Sequence, residues 1–76
     1  MPTLDTLRPD SLCRVTHILG EHAVSQRLME MGLIEGSTVE VVRFAPLGDP
    51  MEVSLHGYSL SLRKSEASLV EVEQCG

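Results

Sequence analysis

The sequence predicts a mainly β fold, a small and partly closed barrel of about five strands with one helix inserted after strand one. Five short segments carry β-branched or alternating apolar residues and are separated by turn signals. Val24, Leu28 and Met31 form one apolar stripe at helical spacing between the first two segments. A barrel suits a chain of 76 residues, because closing a sheet removes its exposed edges. This length leaves room for one domain, residues 1–76, with its core expected over about 12–72.

The strands are predicted from β-branched residues and from the alternation of apolar and polar side chains. They are expected at 12–18, 39–44, 51–55, 58–62 and 69–72. The clearest is the fourth, in which Tyr58, Leu60 and Leu62 alternate with serines and should lie half-buried on one face. The remaining segments are predicted to be a lead-in turn at 3–10, a loop at 45–50, a hairpin turn at 56–57 and a short helical turn at 64–68.

A helix of about three turns is expected over 21–31, and its end is the most informative local pattern. Gly32 stands where the helix needs a residue with positive φ, which glycine adopts without a Cβ clash. Leu33 follows at the position that packs back onto the last turn, so a contact with Leu28 is expected. Gly36 then turns the chain into the second strand. Gly32, Leu33 and Gly36 are therefore predicted to be structural residues.

Composition excludes several classes of partner. The formal net charge is −5, with six basic residues in total. Nucleic acids and anionic membranes attract proteins through Lys and Arg, so neither is an expected partner. Phe44 and Tyr58 are the two aromatic residues, and the core must therefore consist of Val, Leu, Ile and Met.

The location is expected to be cytoplasmic. Residues 1–5 have neither a basic start nor an apolar stretch of the kind that a signal peptide needs. No apolar run approaches the roughly 20 residues of a membrane span, so the chain is not expected to be membrane-embedded. Cys13 and Cys75 lie far apart in the sequence, and two reduced thiols, one buried and one exposed, are favoured over a disulfide.

No catalytic residues and no cofactor are predicted. The serines lie outside any nucleophile elbow, and the chain has no P-loop or dinucleotide fingerprint, so an enzyme is not expected. Whether the chain binds a metal ion is not decided by the sequence. Its candidate ligands lack the tight pairs of strong zinc patterns, and isolated imidazoles are more often solvated or structural. These candidates are His17, His22, His56, Cys13, Glu21 and Glu30.

Five blocks of sequence together resemble one family. They run over residues 27–36, 39–42, 45–50, 60–67 and 70–72, and the block Ala-Pro-Leu-Gly-Asp-Pro at 45–50 is especially specific. In order and spacing they are similar to the FeoA family of small cytosolic accessory proteins of bacterial ferrous-iron transport. The resemblance implies an SH3-like β-barrel. It also implies a partner, the membrane transporter FeoB with its cytosolic GTP-binding domain.

The leading hypothesis, which follows from this resemblance, is a non-enzymatic accessory protein. It would dock on FeoB and modulate it. The alternative is a transition-metal-ion-binding protein that acts as an iron sensor or carrier. Binding of proline-rich peptides is not expected, because that mode needs an aromatic-lined groove. The sequence predicts that the partner is bound by a proline-restricted loop with an apolar tip and by the one adjacent basic pair. Their residues are Pro46, Leu47, Gly48, Asp49, Pro50, Arg63 and Lys64.

For Leu47 two interpretations are about equally favoured. Its side chain is either an exposed tip that docks on the partner or a plug at one end of the barrel. For Arg63 and Lys64, the alternative to docking is protection of a strand edge against unwanted pairing.

Overall fold

In the computed structural model, which describes residues 2–75, five antiparallel strands form one sheet in the order β4-β3-β2-β1-β5. The strands are β1 (Leu12–Ile18), β2 (Thr38–Phe44), β3 (Met51–Leu55), β4 (Tyr58–Leu62) and β5 (Val70–Gln74). Helix α1 (His22–Glu30) follows β1, and the short helix α2 (Lys64–Ala67) joins β4 to β5. The predicted mainly β class with a helix after strand one is confirmed. Within residues 2–75 the terminal strands β4 and β5 do not pair with each other, so the sheet stays open.

Two irregularities bend the sheet around its core. The register between β1 and β5 shifts between Val15 and His17, and that between β2 and β3 shifts between Val41 and Arg43. Bulges of this kind increase the local twist of a strand, which lets five strands curl around a small volume. The β3–β4 pairing has no such shift.

The core is aliphatic, as the scarcity of aromatic residues predicts. Its fully buried side chains come from all five strands, from α1 and from the segment that follows α1. Leu4 and Leu7 are also buried. They belong to a short 3-10 helix (Leu4–Thr6) and its end, where the sequence predicted only a lead-in turn outside the core.

Long-range contacts hold this N-terminal segment in place. Thr3 forms a bridge with Glu71, and the N–H of Val72 donates to the carbonyl of Pro2 at 2.9 Å. The sequence could not reveal these partners, because they lie at the opposite end of the chain.

Strand β4 is more exposed than its alternating pattern predicts. Leu62 is fully buried and Leu60 partly so, but the side chain of Tyr58 is 46% exposed. The reason is position, since β4 lies at the edge of the sheet and Tyr58 begins it. The Tyr58 hydroxyl instead donates to the carbonyl of Met31 at 2.6 Å, beside the end of α1.

The end of α1 has the geometry that its sequence predicts. Gly32 adopts φ of 102°. The Leu33 N–H donates to the Leu28 carbonyl at 3.1 Å, and the Gly32 N–H donates to the Met29 carbonyl at 3.0 Å. This pair of bonds is a Schellman motif, which satisfies carbonyls that the helix itself leaves without partners. Leu28 and Leu33 are both fully buried, so the motif joins α1 to the core.

Both cysteines are free thiols. Cys13 is buried in β1, and its Sγ donates to the Val39 carbonyl at 3.4 Å. Burial, with a smaller contribution from the charge of Cys75, raises the pKa of the Cys13 thiol to about 11. Cys75 is partly buried beyond the end of β5.

Neither α1, with nine residues, nor α2, with four, is long and apolar enough to cross a bilayer.

We expect Gly32→Val to lower the free energy of unfolding by about 1–3 kcal/mol, because a β-branched residue at positive φ is strained. A Cβ at this position would also lie 2.6 Å from the Tyr58 hydroxyl oxygen. Chemical denaturation of both proteins measures the difference. Gly36→Val is the matched control, since Gly36 also has positive φ but a Cβ added there would meet no atom within 4 Å. Equal losses for the two variants would show that the approach to Tyr58 is unimportant.

The two thiols should react very differently with iodoacetamide at pH 8. Only thiolates attack the reagent, and Cys13 is both buried and held protonated by its raised pKa. Mass spectrometry of the native protein should therefore find Cys75 modified and Cys13 intact, whereas both react in denaturant. Equal labelling of the two in the native protein would contradict the buried placement of Cys13.

Candidate functional site

The loop between β2 and β3, residues 45–50, presents an apolar side chain to solvent. Leu47 at its tip is 96% exposed, so it is not a plug of the barrel. The loop is closed by two backbone hydrogen bonds, Ala45 N–H to the Pro50 carbonyl at 2.9 Å and Gly48 N–H to the Ala45 carbonyl at 2.7 Å. Its two prolines, Pro46 and Pro50, restrict the backbone further. We call these six residues the proline loop.

The structure brings the proline loop and the basic pair together, although they lie on opposite sides of the β3–β4 hairpin in sequence. Asp49 Oδ1 accepts a hydrogen bond from the backbone N–H of Lys64 at 2.9 Å. Glu66 Oε1 accepts one from the backbone N–H of Arg63, also at 2.9 Å. Asp49 thus holds the start of α2 against the loop, and Glu66, which is part of α2, caps that start from within the helix. The predicted partner-binding residues therefore form one continuous surface.

Two open grooves border this surface, and they share Pro50 and Ser61. The larger has a volume of about 560 Å³ and is lined by Asp49, Pro50, Ser61, Leu62, Arg63 and Glu66. The smaller, of about 180 Å³, is lined by Arg43, Phe44, Ala45, Pro46, Pro50, Met51, Glu52 and Ser61. Both walls mix apolar and charged groups, an arrangement that suits side chains of a protein partner.

Ion pairs account for much of the charge around these grooves. Arg27 of α1 pairs with Glu66, whose side chain is only 15% exposed. Arg43 pairs with Glu52 at 2.9 Å, and the hydrogen bond from Arg43 lowers the pKa of that carboxyl. Within residues 2–75 the side chains of Arg63 and Lys64 form no ion pair. These two exposed cations are therefore available to an anionic group.

The metal-ligand candidates do not assemble. Among residues 2–75 no group of three or more His, Cys, Asp or Glu side chains is placed to hold a metal ion. His17 faces Glu71, with Nδ1 and Oε1 3.8 Å apart. His22 begins α1, His56 lies in the β3–β4 turn with φ of 52°, and Cys13 is in the core.

Sequence reasoning missed two residues of the surface. Ser61 lies in both grooves, and nothing local distinguishes it from its neighbouring serines. Glu66 joins α1 to α2 through Arg27 and the Arg63 N–H. Glu66 lies three residues after Arg63, the residue that precedes α2, and a glutamate at that position is a helix-capping signal that the sequence does contain.

Comparison with known proteins identifies the family. A sequence profile described as the FeoA domain matches residues 3–74. A protein of Porphyromonas gingivalis, named Fe(2+) transport protein A/Fe(2+) transporter FeoB fusion protein, is 37% identical over 59 residues, or 78% of this chain. The chain spans 7% of the length of that fusion protein.

Solved structures agree with this assignment. The solution structure of FeoA from Chlorobium tepidum is 40% identical, with a TM-score of 0.91 over 99% of this chain and 71% of that one. The crystal structure of Stenotrophomonas maltophilia FeoA complexed with zinc is 31% identical, with a TM-score of 0.84 over 96% of this chain and 91% of that one. That protein is described as a prokaryotic SH3 domain protein, in agreement with the SH3-like fold expected here. The chain therefore belongs to the FeoA family of ferrous-iron transport accessory proteins.

Proposed function

We propose that this chain is a single-domain, non-enzymatic accessory protein in the cytoplasm that docks on the cytosolic GTP-binding domain of FeoB and modulates ferrous-iron transport. The observation that carries the proposal is the exposed side chain of Leu47 on a hydrogen-bonded, proline-restricted loop. This loop adjoins Arg63 and Lys64, two cations that form no ion pair in the part of the chain that the structure describes. A side chain held in advance at 96% exposure contributes little to the fold, and a partner that buries it gains apolar contact at a small entropic cost.

The fusion protein of Porphyromonas gingivalis supports FeoB as the partner. Joining two proteins in one chain raises their effective concentration, which favours a pair that works in contact. Contact of this kind needs a docking surface on the FeoA domain itself. The proline loop with Arg63 and Lys64 is our candidate for it.

The chemistry of the grooves favours docking over catalysis. The carboxylates of Asp49 and Glu66 accept hydrogen bonds from backbone N–H groups, and Glu66 also pairs with Arg27. These bonds give both carboxylates a structural role, because they position the backbone at the start of α2. The grooves are open to solvent, whereas catalytic sites exclude water.

Metal binding is the second candidate function, and the zinc complex of the Stenotrophomonas maltophilia protein favours it. The exposed His17 and the partly buried Glu71 offer an imidazole and a carboxylate, ligands that zinc accepts. A sensor or carrier of iron would bind Fe2+ without FeoB. An anaerobic titration of the chain alone with Fe2+, measured by calorimetry, separates this function from docking, because only a sensor or carrier should show binding.

We expect Leu47→Ala to weaken binding to full-length FeoB in detergent micelles by tenfold or more, as removal of a central interface anchor does. Biolayer interferometry with and without GTP measures the affinity. Leu19→Ala is the matched control, since Leu19 is also an exposed leucine, 41% accessible, outside the proline loop. It should bind as the wild type does.

The melting temperature of Leu47→Ala should equal that of the wild type, because the side chain has almost no contact with the core. A stable Leu47→Ala variant that binds FeoB normally would place the docking surface elsewhere.

Folding should not depend on a metal ion, because the core is apolar and no ligand cluster exists among residues 2–75. Thermal melts with and without excess chelator should coincide. Melts after addition of Zn2+ in excess of the chelator serve as the control. A drop of more than about 5 °C on chelation, which for a domain of this size corresponds to about 1 kcal/mol, would favour the metal-binding function.

A further inference from the structure

We propose that the partner adds a β-strand to the free edge of β4, through the backbone of Ser59 and Ser61. This proposal rests on the docking function above and specifies how docking occurs. The occupant is an extended segment of FeoB that carries an acidic side chain at the end lying beside Arg63 and Lys64. Strand addition derives affinity from main-chain hydrogen bonds and specificity from pockets for alternate side chains.

Hydrogen-bond alternation determines which groups of β4 point outward. The Ala45 N–H donates to the Pro50 carbonyl at 2.9 Å, so this pair is bonded across β2 and β3. In an antiparallel ladder bonded and non-bonded pairs alternate, so the next pair, Phe44 and Met51, is non-bonded. The backbone groups of Met51 therefore point to the other side, toward Leu62 of β4.

The same alternation continues along β4. Tyr58, Leu60 and Leu62 direct their N–H and C=O groups toward β3, as expected for a hairpin closed by a two-residue turn. Ser59 and Ser61 direct theirs away from the sheet. Among residues 2–75 no backbone hydrogen bond outside the ladder involves either serine. Two donors and two acceptors are thus available on this edge.

The groups at the C-terminal end of this edge are satisfied by the fold. The Arg63 N–H donates to Glu66, and the Arg63 carbonyl accepts from the N–H groups of Glu66 and Ala67, both at 2.9 Å. The unpaired edge is therefore limited to the segment 59–61, between the hairpin turn and α2. Its length matches a short added strand with four hydrogen bonds.

The two edges of the sheet differ in protection. Edge strands are commonly blunted by proline, charge, a bulge or a covering segment. The β5 edge is covered by Thr3 and Pro2 and carries two glutamates. Strand β4 contains no charged residue and no proline, and it pairs with β3 in unbroken register. The unprotected edge is also the one that adjoins the proline loop.

The surroundings of Ser61 favour a peptide of mixed character. Ser61 lies in both grooves, so side chains of an added strand would enter them. Arg63 and Lys64 follow directly and form no ion pair within residues 2–75. An acidic side chain at that end of the peptide would be paired with them. At the other end, the exposed ring of Tyr58 offers an apolar contact.

A second copy of this chain fits the edge less well. Two β4 strands related by a two-fold axis at Leu60 would pair Ser59 with Ser61 of the other copy. The same register would place Arg63 opposite Gly57, and Lys64 opposite His56, of that copy. The turn offers no carboxylate to either cation, so the charges that favour an acidic peptide do not favour self-association.

The variant Ser61→Pro tests the proposal against Ser61→Ala. Proline removes the outward N–H together with the hydroxyl and is tolerated on edge strands, whereas alanine removes the hydroxyl and keeps the N–H. We expect Ser61→Pro to weaken binding to full-length FeoB by tenfold or more and Ser61→Ala by less than about twofold. Lys64→Glu should also weaken binding, and increasingly so as the salt concentration falls.

Amide hydrogen exchange gives a second readout that does not depend on Ser61→Pro folding. The amides of Ser59 and Ser61 should exchange rapidly in the free chain and become protected when FeoB is added. If FeoB binds the wild type but Ser61→Pro binds like Ser61→Ala and the two amides stay unprotected, strand addition is wrong while docking stands. If FeoB does not bind at all, the docking function and this proposal both fail. Protection that rises with the concentration of the chain alone would assign the edge to a second copy and overturn the proposal.

Discussion

The close approach of α1 to the edge hairpin is the constraint on which the rest of the structure depends. Gly32 passes so near the hairpin that a Cβ would lie 2.6 Å from the Tyr58 hydroxyl oxygen and 3.1 Å from a methyl carbon of Leu55. Because glycine leaves this space open, the Tyr58 hydroxyl reaches the Met31 carbonyl. One end of β4 is thereby tied to the end of α1. An edge strand has a neighbour on one side only, so this additional tie fixes where it lies.

The same helix also holds the other end of β4. Arg27 of α1 pairs with Glu66, and Glu66 accepts the hydrogen bond from the Arg63 N–H, directly after β4. Helix α1 therefore fixes both ends of the edge strand, and among residues 2–75 no strand pairs with the outer side of its middle, Ser59 to Ser61. Asp49 connects the proline loop to the same point through the Lys64 N–H. A surface fixed in this way loses little conformational entropy on binding, which is a main cost of association.

The parts of the fold that the sequence predicts well are those decided by neighbouring residues. Gly32 and Leu33 form the predicted helix end because a helix stop depends on positive φ and one apolar contact a few residues away. The β1, β3 and β4 boundaries follow from local alternation and turn residues in the same way. The burial of Leu4 and Leu7 could not be predicted, because it depends on β5 at the far end of the chain.

In the candidate site, too, features set by neighbouring residues can be predicted and features set by distant residues cannot. The proline loop and the basic pair can be recognised one at a time, from their residue types. Their adjacency could not, since it depends on Asp49 reaching Lys64 across the hairpin. Ser61 carries no local signal at all, because the order of strands decides whether its outward backbone groups find a partner. The exposure of Leu47 excludes the plug, one of the two interpretations that the sequence favours equally, because an apolar residue between proline and glycine suits a plug as well as a tip. Docking at Leu47 stays a prediction.

Charge distribution decides what kind of interaction this surface can make. Three of the arginines, Arg14, Arg27 and Arg43, form ion pairs with glutamates of the same chain. The chain as a whole carries a net charge of −5. Long-range attraction to an acidic partner is therefore weak, and at physiological salt it is screened beyond about 8 Å. In the proposed complex Arg63 and Lys64 act only at contact distance, where they orient a partner that other groups already hold. The affinity of that complex must then come from Leu47, the grooves and the outward backbone groups of β4. In such an interface the lifetime of the complex, more than its rate of formation, responds to changes in the chain.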